Sequence, residues 1–160
     1  MMIGYIFVVS KKTNDMTRTE NTQHVYLEHV NITVNSMEEG VAFFKTAFPH
    51  FKVRGGDKEL RNWLHLGDDY TYVALQQAVE DLGNTYHKNY DRIGINHIAF
   101  VVPNIEELAN RLLAAGYKRD YPKQVEEFRI REYFADKDGN EFEFIEYLSN
   151  RVEERNSFND

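Results

Sequence analysis

Cysteine is absent from this chain of 160 residues, which excludes disulfides, thiolate metal ligands and a cysteine nucleophile. Proline is scarce at three residues, and the nine glycines are scattered, so no glycine-rich loop is available to cradle a phosphate. The serines are Ser10, Ser36, Ser149 and Ser157, and none sits in a nucleophile elbow. There is no HExxH helix and no zinc-finger spacing. Basic residues are the minority: 19 Lys and Arg against 26 Asp and Glu leave a net charge of −7, which argues against a nucleic-acid partner. The apolar stretch "IGYIFVVS" is too short to span a bilayer, with no basic residue before it and no small-residue cleavage site before Lys11 and Lys12. The expectation is a cytoplasmic protein with no membrane contact.

What is present suits a packed globule. Hydrophobic residues make up 42% of the chain and aromatic residues 14%, enough for one domain or two small modules sharing a core. Residues 1–24 read as an N-terminal extension or linker, in which Met16 is an alternative start. Residues 25–80 form a first module and 81–93 a connector that carries His87. A second module takes 94–148, followed by a polar tail over 149–160.

The two modules come from an internal repeat. His29 and His97 are 68 positions apart, as are Ser36 and Asn104, and Glu39 and Glu107. Each copy reads as a strand followed by a helix, with Ser36 or Asn104 as the N-cap. Gly116 suits the left-handed position after the second helix, and Pro49 blocks continuation of the first. Three strand candidates follow each helix. They are "HFKVR", "ELRNWLHLG" and "YTYVALQQ", then "YKRDYPKQV", "FRIREYFA" and "EFEFIEYL", separated by turn signals at "RGGDK", "GDD" and "DKDGN". Duplicated modules of this kind pack about a pseudo-twofold axis, so equivalent residues can face one cleft.

Strand alternation assigns the faces. Val30, Ile32 and Val34 point toward the helix stripe of Met37, Val41, Phe44 and Phe48, which leaves His29, Asn31 and Thr33 on the concave side. In the second copy His97, Ala99 and Val101 take that side, joined by Glu141, Glu143, Ile145 and Tyr147 of the last strand. A glutamate buried alone is costly, but opposite two histidines it makes sense as a metal ligand. His65 and Trp63 share the inward face of "NWLHL". Arg129, Arg131 and Tyr133 share a face of "FRIREYFA", where an arginine either binds an anionic substrate or belongs to a solvated surface pair.

Through "EHVNITV", "NHIAFVV" and "YFADKDGNEFEFIE", residues 25–148 resemble the vicinal oxygen chelate superfamily of glyoxalases, bleomycin-resistance proteins and extradiol dioxygenases. The resemblance implies an α+β fold of two paired βαβββ modules, forming a cupped mixed sheet around a central cleft. It implies His29, His97 and Glu143 as ligands to a divalent metal, with Fe, Mn, Ni, Co and Zn undistinguished. A fourth family position falls on Ala74 or Tyr72, with Gln76 on the same face. The two-His, one-Glu set is similar to that of extradiol dioxygenases and fosfomycin-modifying thiol transferases, the latter having a threonine where Asn31 stands.

The functional expectation is therefore a small metalloenzyme acting on a small molecule with vicinal oxygens, stabilising charge that develops on them. Glu143, Tyr72 and His65 are the candidate catalytic residues. Asn31, Trp63, Gln76, Arg129 and Tyr133 are the candidate substrate contacts. The alternative is a drug-binding protein of the bleomycin-resistance type, with Trp63, Tyr70, Tyr72 and Tyr133 as a stacking wall. Relatives of this fold pair, so a homodimer is expected, with modules exchanged between chains as one arrangement.

Overall fold

The computed structural model describes residues 26–57, 62–81, 83 and 93–155; the N-terminal extension, most of the connector and His87 lie outside these. The first module runs β1 (His29–Val34), α1 (Met37–Ala47), β2 (Lys52–Asp57), β3 (Trp63–Gly67) and β4 (Tyr72–Gln77). The second runs β5 (His97–Val101), α2 (Ile105–Ala114), β6 (Gln124–Val125), β7 (Arg129–Ala135) and β8 (Glu141–Tyr147), with a 3-10 turn at Val152–Glu154. The strand orders β1-β4-β3-β2 and β5-β8-β7-β6 are the same arrangement twice. In each, the first strand runs parallel to the last and the other pairs are antiparallel. This is the expected α+β pair of βαβββ modules.

Matching local chemistry starts both helices. Ser36 Oγ accepts from the Glu39 N–H at 3.3 Å, and Asn104 Oδ1 from the Glu107 N–H at 3.0 Å. The first helical N–H is also satisfied in each: Met37 donates to Gln77 Oε1 and Ile105 to Glu146 Oε2, both at 2.7 Å. After α2, Gly116 adopts φ 89°, while the Tyr117 N–H reaches Leu112 O and the Gly116 N–H reaches Leu113 O. That is a Schellman closure, which favours glycine at the left-handed position.

Two strand expectations are corrected. The stretch "RGGDK" is not a turn at Gly55 and Gly56: β2 continues through both to Asp57, with a register shift between Val53 and Gly55. An edge strand tolerates such an irregularity, and glycine accommodates it. The stretch "YKRDYPKQV" contracts to the two residues of β6 plus an isolated bridge from Arg119 to Phe134. Pro122 within it has no N–H to give a ladder.

The helices join the modules. From α1, Phe43 and Phe44 place their rings 5.0 and 5.1 Å from Phe142 of β8, and Phe48, the residue after the helix, lies 5.1 Å from Phe100 of β5. The buried surface of α1 is thus wider than the expected stripe, because it serves both sheets and adds Phe43 and Ala47. Gly40 permits the close approach: a Cβ there would lie 3.3 Å from both Leu75 and Val34 side-chain atoms. From α2, Arg111 donates to the carbonyls of Thr46 and Ala47 at the end of α1, at 3.0 and 2.8 Å. The result is one continuous core drawn from both modules.

A polar clasp supplements it. Asp138, in the β7–β8 turn, accepts from the Asn35 backbone N–H and from Asn35 Nδ2, both at 2.9 Å. Asp138→Ala is expected to lower the unfolding free energy by about 1–2 kcal/mol in urea titration, since both bonds run to an ionised acceptor. A change under about 0.3 kcal/mol would mean that the clasp adds nothing to the core.

Candidate metal centre

The concave faces follow the strand alternation. Ile32 and Val34 are buried, whereas His29, Asn31 and Thr33 are exposed. The registers then define the pseudo-equivalent residues. His29 stands beside Tyr72 and His97 beside Glu141; Asn31 pairs with Ala74 and Ala99 with Glu143. Across the next ladder, His65 pairs with Ala74 and Tyr133 with Glu143. Ala74, rather than Tyr72, is therefore the counterpart of Glu143, and Tyr72 is the counterpart of Glu141. The first module carries no carboxylate at its fourth position.

The second module gathers a polar cluster. Glu143 is 6% exposed, and its two oxygens have separate partners. Tyr133 OH donates to Oε1 at 2.7 Å, while His97 Nε2 lies 3.1 Å from Oε2. Two donors at right angles, each about 2.1 Å from one ion, would be about 3.0 Å apart, so this pair fits adjacent positions on a single metal. On the other side of the imidazole, Nδ1 is buried without a hydrogen-bond partner and faces Glu141 Oε1 at 3.6 Å. A carboxylate behind a ligating imidazole fixes its tautomer and ring orientation. Burial, and next the hydrogen bond to Glu143, push the Tyr133 phenol well above its ordinary range, so it stays a donor.

The first module is aromatic where the second is charged. Tyr72 stacks with His29 at 4.6 Å and 11° and with His65 at 4.6 Å and 27°, β4 lying between the other two strands. Trp63 follows, 4.9 Å from His65, and the Arg54 guanidinium carbon lies 5.1 Å from the Tyr72 ring centroid. His29 Nδ1 sits 3.0 Å from Glu28 Oε2, leaving Nε2 as the nitrogen for a ligand. The rings of this ladder face one another, so Tyr72 steadies two imidazoles and is not an open stacking platform. Tyr70 stands apart in the β3–β4 turn, 85% exposed.

The structure thus brings His97, Glu143 and Tyr133 together and keeps His29, Tyr72, His65 and Trp63 in the other module. Among the described residues of one chain, no group of three or more His, Cys, Asp or Glu is placed to hold a metal ion. Gln76 shares the Tyr72 and Ala74 face, and Asn31 is exposed beside His29. Arg129 is not a solvated surface residue: at 3% exposure it is buried and donates to Glu126. Glu141 and Glu126 were not anticipated as members of the cluster. For Glu141 a signal existed, since it shares the inward face of a buried strand with Glu143; Glu126 lies in a hairpin turn and gave none. No described helix is long and apolar enough to cross a membrane.

Comparison with known proteins agrees with this fold. Comparison with curated sequences gave no match. Among solved structures, the genomically encoded fosfomycin resistance protein FosX from Listeria monocytogenes is similar over 81% of this chain and 94% of its own, with TM-score 0.60 and 22% identity. A glyoxylase/bleomycin resistance protein/dioxygenase domain from Frankia sp. EAN1pec is similar over 80% and 96%, with TM-score 0.62 and 21% identity. A mutant of the Listeria FosX, complexed with Mn(II) and 1S,2S-dihydroxypropylphosphonic acid, is similar over 81% and 94%, with TM-score 0.58 and 18% identity. At these identities the likeness is one of fold. The family model for the Glyoxalase/Bleomycin resistance protein/Dioxygenase superfamily matches residues 26–144, and the chain belongs to that superfamily.

Proposed function

We propose that this protein is a cytoplasmic, homodimeric metalloenzyme acting on a small molecule with two adjacent oxygens. In this reading His97 and Glu143 of one chain hold a divalent ion together with His29 from the first module of a second chain. The observation that carries it is the 3.1 Å spacing of His97 Nε2 and Glu143 Oε2, with the other glutamate oxygen already occupied by Tyr133. An ion held there supplies Lewis-acid stabilisation of negative charge developing on the substrate oxygens.

The residues around it have distinct tasks. Tyr133 turns the Glu143 carboxylate so that Oε2 faces His97. Glu141 lies behind the His97 ring, and Tyr72 steadies the His29 ring with His65 on its far side. Asn31, Gln76 and Trp63 line the first-module face against which a substrate would rest. The sequestration alternative has less support, because the Tyr72 ring is stacked between His29 and His65 and Tyr70 stands apart from the other rings of the expected wall.

The test combines metal analysis with subunit mixing. Wild-type protein purified without chelator is expected to take up close to one Mn(II) per chain, and His29→Ala and His97→Ala are each expected to lose it. Refolded together, the two variants form some mixed dimers. In a mixed dimer one site has both histidines replaced and the other is intact, so about a quarter of wild-type binding returns. No uptake by wild type would sink the metal reading. Uptake by wild type without recovery in the mixture would place all the ligands within one chain.

A further inference from the structure

Beside Glu143 the second module places more cationic capacity than a hairpin brace needs. Arg129 and Arg131 lie on the same face of β7 as Tyr133, and each donates to a different oxygen of Glu126, in the β6–β7 turn. Arg129 is accounted for by this bracing, being 3% exposed. Arg131 reaches further. Its Nη1 lies 3.3 Å from Tyr133 OH and 3.7 Å from Glu143 Oε1, and its Nε is buried without a hydrogen-bond partner. That N–H is closed to solvent, so the donors a substrate can reach are those of the Nη groups, on a side chain that is 20% exposed.

Charge counting points the same way. The cluster holds two arginines against the carboxylates of Glu126, Glu141 and Glu143. A divalent ion at His97 and Glu143 changes that sum from one net negative charge to one net positive charge, with His97 neutral. In a chain of net charge −7, this would make the site locally attractive to anions. Trp63 occupies the position pseudo-equivalent to Arg131, opposite Gln76 as Arg131 is opposite Ile145. At this position the two modules differ, an arginine in one and a tryptophan in the other, which gives a bound molecule an orientation.

We infer that the substrate carries an anionic group, a carboxylate or a phosphonate, next to its two adjacent oxygens, and that Arg131 binds it while Glu126 and Arg129 hold the guanidinium from behind. The inference rests on the reading of His97 and Glu143 as metal ligands. A group lying against Glu143 is within reach of Arg131, and the planar fork of arginine accepts either anion in a two-bond contact.

The experiment is calorimetric titration of the Mn(II)-loaded protein with three probes. Glycerate carries a carboxylate beside a vicinal diol, 1,2-dihydroxypropylphosphonate carries a phosphonate, and propane-1,2-diol is neutral. At least one anionic probe is expected to bind about tenfold or more tighter than the diol, and the ratio of the two anions identifies the group. Arg131→Gln, titrated at saturating Mn(II), is expected to lose about 10- to 100-fold for that anion and much less for the diol. Arg131→Lys, which keeps the charge but not the fork, is expected to lose about three- to tenfold. Equal binding of charged and neutral probes by wild type, which needs no variant, overturns the inference, as does full retention of the preference in either variant. Failure of wild type to take up Mn(II) sinks the metal reading and this inference with it. Normal uptake without charge preference sinks this inference alone.

Discussion

Glu143→Gln is expected to lose divalent-metal affinity by about 100-fold or more while keeping the wild-type fold. Disturbing groups behind metal ligands already costs about 10- to 100-fold, and here the carboxylate beside His97 Nε2 loses its charge. The shape is nearly unchanged, since the amide oxygen can still accept from Tyr133 in place of Oε1. Its NH₂ would then face His97 Nε2, where it offers a donor and no ligand. Stability should move little, because a buried carboxylate is stabilising only so far as its partners repay its desolvation. Mn(II) titration beside a thermal melt separates the two quantities. Wild-type affinity in a folded Gln variant would remove Glu143 from the metal centre. Weakened binding with a collapsed melting temperature would instead identify it as a structural residue.

The part of this centre that is legible in the sequence is the part carried by the duplication. The constant offset between His29 and His97, and between the two N-caps, places both histidines at strand starts on one face. Alternation on an apolar last strand puts Glu141 and Glu143 alike on the inward face, and the choice of Glu143 is what the family resemblance implies. The offset does not survive the whole module: Tyr72 corresponds to Glu141 and Ala74 to Glu143, each 69 apart, so one residue has entered between helix and last strand. Counting from a turn and aligning by apolar pattern therefore disagree about the fourth position, and only the hydrogen-bonded register decides for Ala74.

Other features are decided by contacts between distant segments, to which local periodicity is blind. Arg129 and Arg131 alternate with apolar residues just as solvated charges would. It is Glu126, folded back by the β6–β7 hairpin, that allows Arg129 to be buried. Glu132 lies on the opposite face of the same strand and is fully buried, paired with Arg119 from the segment before β6. The pairing of Gly55 with His65 keeps a glycine-rich stretch in β2 that its composition marks as a turn. The reach of α1 over the second sheet is likewise a property of the assembled core.

That reach has a consequence for stability. Phe43→Ala is expected to lower the unfolding free energy by about 3–5 kcal/mol, the range for removing a fully buried phenylalanine from a core that cannot close over the cavity. Phe43 is 0% exposed, and its ring meets Phe44, Tyr117 and Phe142 at 5.3, 5.0 and 5.0 Å. Two of these partners, Tyr117 and Phe142, belong to the second module, so the cavity opens at the junction and directly behind the strand that carries Glu141 and Glu143. Trp63 is the only tryptophan and lies in the first module, whereas far-ultraviolet circular dichroism reports both. In urea, fluorescence and dichroism should give coincident transitions for wild type, and for Phe43→Ala the two should move together to lower urea. A loss below about 1.5 kcal/mol, or a fluorescence transition that separates from the dichroism in wild type, would show that the modules are not joined through this ring cluster. If the coupling holds, metal affinity should also weaken in Phe43→Ala at temperatures where the protein remains folded. The strand presenting Glu143 would then have lost the packing that keeps its carboxylate at 3.1 Å from His97.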